Sequence, residues 1–295
     1  MRDSPAEISL VIAVYNRADA LRLVLTALER QTFRSFEAVI ADDGSGEEVG
    51  KVVSEFRARL FFPIIHVRQD DRGWRKNAAL NAAVRRSRAS YLVFIDGDCV
   101  PHHRFLEDHW AERAARTFLC GRRVELSPAL TRDFTEENVR SGRFERFGLR
   151  GWWEAVLGRA VRVEDGIRLR RPFLARILHG DMCRMLGSNF SLYRVDLEAI
   201  NGFDERYEGP GCGEDSDVQF RLELSGCVGK SLRHRAVQYH LWHPVRRVSE
   251  ASIRRFEEVR RMRAAWCEEG LFRAGAAGAA VIHGVPARGD AGRGT

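Results

Sequence analysis

Long apolar runs are missing from this 295-residue chain. No stretch approaches the roughly 18 apolar residues of a membrane-spanning helix. The opening residues, Met1-Arg2-Asp3-Ser4-Pro5, lead straight into a strand-like run without an apolar signal region. The expectation is a cytosolic protein, soluble or peripheral on the inner face of the plasma membrane. Cysteine is sparse: six residues, at positions 99, 120, 183, 212, 227 and 267, form no Cys-x-x-Cys pair. Neither a zinc site nor a disulfide framework is expected, in keeping with a reducing compartment. Lysine is nearly absent, with Lys51, Lys76 and Lys230 alone among 48 basic residues. Internal repeats are lacking, and so are the usual nucleic-acid-binding motifs, so a net charge of +7 is not read as a sign of a nucleic-acid partner.

What remains is enough chain to bury a substantial core, in one large α/β domain or two modest ones. Ile8–Val14 is a β-branched apolar run, and Ala18–Arg30 follows with helical spacing of Leu21, Val24, Leu25 and Leu28. Phe36–Ala41 predicts a second strand, Glu47–Arg59 a helix, and Phe61–Val67 a third strand. Such alternation, with polar residues always at the same strand end, predicts a Rossmann-like α/β fold: a mostly parallel sheet covered by helices on both faces. His102–Arg116 reads as an amphipathic helix, Phe118–Leu126 as a strand and Ser249–Cys267 as a charged helix. The expected organisation is a nucleotide-binding half over 1–126, an arginine-rich helical insert over 127–186, a catalytic half over 187–248, a helix over 249–273 and a disordered tail over 274–295. Between Arg140 and His179 ten arginines meet four carboxylates. This basic, partly amphipathic stretch could lie on an anionic membrane surface or pack on its own domain with its arginines in water.

The chain is organised around Tyr91-Leu92-Val93-Phe94-Ile95-Asp96-Gly97-Asp98. Five apolar residues describe a strand buried on both faces, and ligands of open α/β sheets sit at the carboxyl ends of strands. Two acids there repel unless a proton or cation comes between them. Hard oxygen ligands suit Mg²⁺ or Mn²⁺, whose shells are commonly completed by substrate phosphates. Upstream, Arg75 and Lys76 open a helix, where cations oppose the helix dipole; an anion such as a phosphate would account for them, and so would ordinary solvation. Downstream, the glycine-rich loop Gly209–Gly213 delivers Glu214, Asp215, Ser216 and Asp217 into a helix. Capping explains one or two of these acids, but not the glycines before them. His240 and His243 lie in a strand or loop, where one of the two is a candidate metal ligand.

Taken together, Val14-Tyr15-Asn16-Arg17, Asp42-Asp43-Gly44-Ser45, Asp96-Gly97-Asp98 and Gly213-Glu214-Asp215 resemble the GT-A glycosyltransferases of family 2, and the later part, with Gly202-Phe203-Asp204, resembles a galactosyltransferase-type carboxyl-terminal module. The resemblance implies transfer of a sugar from a nucleoside-diphosphate sugar, a UDP-sugar first among them, to a hydroxyl of a glycan or lipid-linked glycan, with inversion, in bacterial envelope polysaccharide synthesis. It implies that Tyr15, Arg17, Asp42 and Asp43 hold the base and ribose, with Arg75 or Lys76 near the base or phosphates. Asp96 and Asp98 take the metal and diphosphate, with His240, or failing that His243, completing the metal shell. Asp215 becomes the catalytic base and Glu214 an acceptor-hydroxyl ligand. The chain departs from the pattern at Pro210 and Cys212, where relatives often carry Trp or Gly. Rival readings are a haloacid-dehalogenase-like phosphatase, whose nucleophile motif Phe94–Asp98 also resembles but which belongs on a first strand, a nucleotidyltransferase, and an inactive carbohydrate-binding relative.

Overall fold

Alternate residues of a strand face opposite ways, and β1 (Ile8–Val14) uses both directions. Ile8, Leu10 and Ile12 pack with Leu21, Val24, Leu25 and Leu28 of α1 (Ala18–Leu28), whereas Val11 joins the opposite core with Ala79, Ala83 and Val84. The computed structural model describes residues 6–146, 148–169, 183–211, 214–244 and 248–272. The first half continues through β2 (Phe36–Asp42), α2 (Glu47–Arg59), β3 (Ile64–Arg68), α3 (Lys76–Arg86) and β4 (Tyr91–Asp96). Then come β5 (Cys99–Pro101), α4 (Phe105–Glu112), β6 (Thr117–Cys120), β7 (Val124–Glu125) and the short helices α5 (Pro128–Thr131), α6 (Glu136–Ser141) and α7 (Gly148–Val156). The second half holds β8 (Asn189–Tyr193), α8 (Arg194–Glu198), α9 (Glu214–Leu224), β9 (Val228–Ser231), β10 (Gln238–His240) and α10 (Glu250–Met262).

The large sheet has the order β3-β2-β1-β4-β8-β6-β9, and a small one has the order β5-β10-β7. β8 runs antiparallel between β4 and β6, and the remaining pairs of the large sheet are parallel. The two halves expected from the sequence therefore share one sheet. Phe190 of β8 stacks on Phe94 of β4 with ring centroids 4.5 Å apart.

Element boundaries differ from expectation for local reasons. β3 starts at Ile64, not Phe61, because Pro63 has no N–H for the ladder; Phe61 and Phe62 pack on Phe36 instead. The single strand expected over Phe118–Leu126 is two strands in two sheets. Between them the Asn189 side chain lies under Gly121, where a Cβ would come within 2.2 Å of its Oδ1, and Asn189 Nδ2 donates to Arg122 O at 2.7 Å. That contact turns the chain out of the large sheet.

One expectation is corrected outright. Cys120 and Cys183 form a disulfide, with Cα atoms 5.8 Å apart. They are distant in sequence, but the segment entering β8 runs beside β6, which is not visible in cysteine spacing. In the insert, Arg168 is not a solvated surface charge: its guanidinium donates to both oxygens of the buried Asp108, at 2.7 and 2.5 Å. Most of the amphipathic run beyond it, like the tail expected to be disordered over 274–295, lies outside the described residues. Among those described, no helix is long and apolar enough to cross a membrane.

Candidate active site

Strand register assembles the site. Ala13 of β1 lies level with Asp96 of β4, and Val14 with Asp42 of β2. Tyr15, Asp43 and Gly97-Asp98 thus leave the sheet at one edge. From the other half, β10 sets His240 opposite Cys99, and Leu186–Ser188 and Asp215 complete the wall. They enclose a cleft of about 1010 Å³ lined by Tyr15, Arg17, Asp43, Lys76, Asp96, Asp98, Asp215, His240 and His243.

Between the two central acids, Gly97 donates its N–H to Ala13 O at 2.7 Å, and a Cβ there would meet that oxygen at 3.0 Å. Only a residue without a side chain lets the Asp-Gly-Asp turn press against β1 in this way. The two carboxylates point to different partners. Asp96 Oδ1 is 2.9 Å from Lys76 Nζ, and its Oδ2 is 3.7 Å from Arg123 Nη1. Burial favours the protonated form, yet these cations hold the Asp96 carboxyl below its ordinary value. Asp98 Oδ1 is 3.6 Å from His240 Nε2, Asp98 Oδ2 is 3.4 Å from His243 Nε2, and Arg17 Nη1 lies 3.9 Å from Oδ2. Of the expected metal trio, Asp98 and His240 are brought together, with His243 beside them, while Asp96 faces the cations.

Asp98, Cys99 and His240 each present a ligand atom within 4.8 Å of the others. Burial and the nearby Asp98 push the Cys99 thiol well up, and its soft sulfur suits Mg²⁺ or Mn²⁺ less well than oxygen and nitrogen do. A carboxylate with two imidazoles remains. Each histidine is oriented through its other nitrogen, as metal-ligating histidines commonly are: His240 Nδ1 donates to Glu125 Oε2 at 2.6 Å and His243 Nδ1 to Pro244 O at 2.9 Å. The donor set fits a divalent cation.

The adjacent acids Asp42 and Asp43 have separate fates. Asp42 is fully buried, accepting Ser45 N–H at 2.8 Å and lying 2.8 Å from His66 Nε2. It shapes the turn and does not reach the cleft. Asp43 lines the cleft and accepts from Gln69 Nε2 at 2.6 Å and from Arg75 N–H at 2.9 Å. Burial pushes its carboxyl up against those donors. Arg75 takes part through its backbone and its side chain is not in the wall, whereas Lys76 is. Tyr15 donates its hydroxyl to Asp71 Oδ2 at 3.1 Å.

Asp215, in the first turn of α9, accepts Ser216 N–H at 2.7 Å and Gly187 N–H at 3.2 Å. The Glu214 side chain and residues 212–213 lie outside what is described. Gly211 adopts φ +144°, and the loop is tied to α10 by Ser249 N–H donating to Pro210 O at 2.8 Å. Beneath the loop, Asp217 and Arg221, each 1% exposed, form an ion pair, and Arg221 also donates to Ile200 O and Gly202 O at 2.6 and 2.8 Å. Asp204 of the Gly202–Asp204 turn is likewise buried, holding Arg206 and Arg255.

Sequence reasoning missed Trp74, Arg123, Glu125, Ser188 and Trp242, all of which line the cleft. The apolar pattern of Phe118–Leu126 predicts an ordinary strand through Arg123 and Glu125; an Arg-x-Glu pair on a strand, both side chains facing one way, is the available signal. His240 and Arg123 flank Glu125 at hydrogen-bond distance, and although burial opposes it, they hold the Glu125 carboxyl down to about 2.

A mostly parallel sheet whose strand ends carry a cation-ready carboxylate and a basic helix start, faced by an acidic helix from a second segment, defines a GT-A fold. The chain matches the family model for glycosyl transferase family 2 over residues 9–162 and that for the N-terminal domain of galactosyltransferase over 178–244. It belongs to glycosyl transferase family 2. Chondroitin synthase of Escherichia coli is 28% identical over 257 residues, which are 79% of this chain and 34% of that protein. Validoxylamine A glucosyltransferase of Streptomyces hygroscopicus subsp. jinggangensis is 32% identical over 235 residues, 74% of this chain and 52% of that protein. The chain thus spans a third to about a half of these relatives. Among solved structures, Staphylococcus aureus TarS 1–349 in complex with UDP superposes with a TM-score of 0.56 at 14% identity, covering 87% of this chain and 65% of that one. The mannosyltransferase PcManGT of Pyrobaculum calidifontis, in complex with GDP-Man and Mn²⁺, gives 0.52 at 17% identity, covering 81% and 58%.

Proposed function

We propose that the protein transfers a sugar from a nucleoside-diphosphate sugar, with a UDP-sugar as the first donor to try, to a hydroxyl of a glycan or lipid-linked glycan acceptor. The observation that carries this reading is that Asp96, Asp98 and Asp215, from separate parts of the chain, line one cleft. Tyr15 and Asp43 are assigned to the base and ribose and Lys76 to the diphosphate. Asp98, His240 and His243 would hold a divalent cation; imidazole among the ligands favours Mn²⁺ over Mg²⁺. Such a cation, when bound, neutralises charge developing on the departing diphosphate.

The chain's own part in the chemistry is orientation and proton removal. A sugar hydroxyl is a weak nucleophile, and the Asp215 carboxylate can accept its proton as the oxygen bonds to the donor's anomeric carbon. The bond to the diphosphate breaks on the opposite face, giving inversion in one displacement. The Gly187 and Ser216 N–H groups keep the Asp215 carboxylate aimed into the cleft. Incubation with a panel of nucleotide sugars, glycan acceptors and Mn²⁺ tests the reading by the species released. Free nucleoside diphosphate, lost on chelation with EDTA, supports it; pyrophosphate, inorganic phosphate from a phosphomonoester, or no product would favour the nucleotidyltransferase, the phosphatase or the inactive relative.

The insert supports a place at an anionic membrane surface. Trp153, Val156 and Leu157 are 62%, 76% and 44% exposed, in a region with an arginine surplus, and apolar side chains with cations beside them suit a lipid headgroup boundary. Co-sedimentation with phosphatidylglycerol vesicles, but not phosphatidylcholine vesicles, is the expected result.

A further inference from the structure

Both carboxylate oxygens of Glu125 are in use. Oε1 accepts Arg123 Nε–H at 2.7 Å, and Oε2 accepts His240 Nδ1–H at 2.6 Å. Arg123 in turn lies 3.7 Å from Asp96 and donates to Ser188 Oγ at 3.2 Å, while His240 Nε2 faces Asp98 Oδ1 at 3.6 Å. The contacts close a ring through Asp96, Arg123, Glu125, His240 and Asp98, the two aspartates being joined through Gly97. A neutral imidazole carries one proton. With that proton on Nδ1, the Nε2 lone pair is left toward Asp98, the form in which histidine binds a metal.

We propose that Glu125 is the positioning residue of the cation site, selecting the His240 tautomer while Arg123 holds Glu125 in place. The inference rests on reading Asp98 and His240 as cation ligands. Its physical core is that a carboxylate offers acceptors to both neighbours and an amide does not. In Glu125→Gln, if the amide oxygen stays on Arg123, the NH₂ faces His240 and favours the wrong tautomer; if the oxygen turns to His240, the NH₂ meets the Arg123 N–H. Removing the Arg123 donor releases this conflict and frees the amide oxygen for His240.

The test is Mn²⁺ affinity, read from free-ion EPR signal with and without UDP, in wild type, Glu125→Gln, Arg123→Leu and the double variant. Glu125→Gln is expected to weaken Mn²⁺ about 10- to 100-fold, and the loss should be clearly smaller in the Arg123→Leu background. Histidine-ring ¹⁵N spectra of the metal-free protein give an independent readout: His240 should carry its proton on Nδ1 in wild type and shift toward Nε2 in Glu125→Gln. Unchanged Mn²⁺ affinity in Glu125→Gln, equal losses in both backgrounds, or an unaltered His240 tautomer overturns the inference. Asp98→Asn separates this from failure of the cation site itself: if it binds Mn²⁺ as wild type does, or wild type binds none, the site assignment falls and Glu125's role with it.

Discussion

Lys76 places its Nζ 2.9 Å from Asp96 Oδ1, with the lysine on the first residue of α3 and the aspartate on the last of β4. A cation in the first turn opposes the helix dipole, and Asp96 offsets that cost. The same ammonium is then at hand for a diphosphate arriving at the strand end. Lys76→Met is expected to weaken UDP binding in the presence of Mn²⁺ by about 10- to 100-fold, the scale of a hydrogen bond to a charged group. Isothermal titration checks this, and unaltered affinity would exclude Lys76 from diphosphate binding.

Asp215→Asn keeps one acceptor oxygen, enough for either the Ser216 N–H on Oδ1 or the Gly187 N–H on Oδ2 but not both, and cannot take a proton. Turnover should fall by about 10² to 10⁴, while UDP affinity stays at its wild-type value. Steady-state kinetics with the best donor, alongside a UDP titration, decides it; near-normal turnover would remove Asp215 from the mechanism.

The acidic loop owes its position to a pair that never meets the substrate. Arg221→Met leaves Asp217 buried without its partner and should cost about 3–5 kcal/mol in urea unfolding. Adding Asp217→Leu should restore part of that. Recovery stays incomplete because Ile200 O and Gly202 O have also lost Arg221 as a donor.

Stability should decline in mildly acidic solution because of His109. The imidazole is fully buried between Ser191 Oγ at 2.7 Å and Asn189 Oδ1 at 3.1 Å. Burial lowers its pKa from 6.5 to about 4. The unfolded chain therefore binds a proton that the folded one refuses across that interval, so unfolding is favoured as pH falls from about 6.5 to about 4. The loss is up to ~3 kcal/mol for this residue. His102, also lowered to about 4 chiefly by burial, acts over the same window. Denaturant melts of His109→Gln against wild type should show roughly half the slope removed; an identical slope would exclude His109 as its source.

Much of the site was legible because parallel strands expose their function at their ends. Asp96, Asp98 and Tyr15 follow apolar runs whose direction is fixed by the helices between them, and Asp215 is marked by surplus glycine. What could not be read depends on contacts remote in sequence. Nothing in Asp42-Asp43 says that His66 will take one acid into the core and Arg75 will leave the other at the surface of the cleft. Arg123 and Glu125 face the site because Asn189 lies under Gly121, and Cys183 reaches Cys120 by the same return of the chain. A local pattern holds no record of such neighbours.

The antiparallel strand between β4 and β6 makes the two family segments inseparable. β8 belongs to the later segment, yet both its neighbours belong to the earlier one. A fragment ending near residue 162 would expose the flank of β4 as an unpaired apolar edge, open to association with other copies. Recombination or truncation within this chain is accordingly expected to yield insoluble material rather than a free-standing donor module, so the cut-and-paste unit available to evolution or to an engineer is the whole interleaved pair.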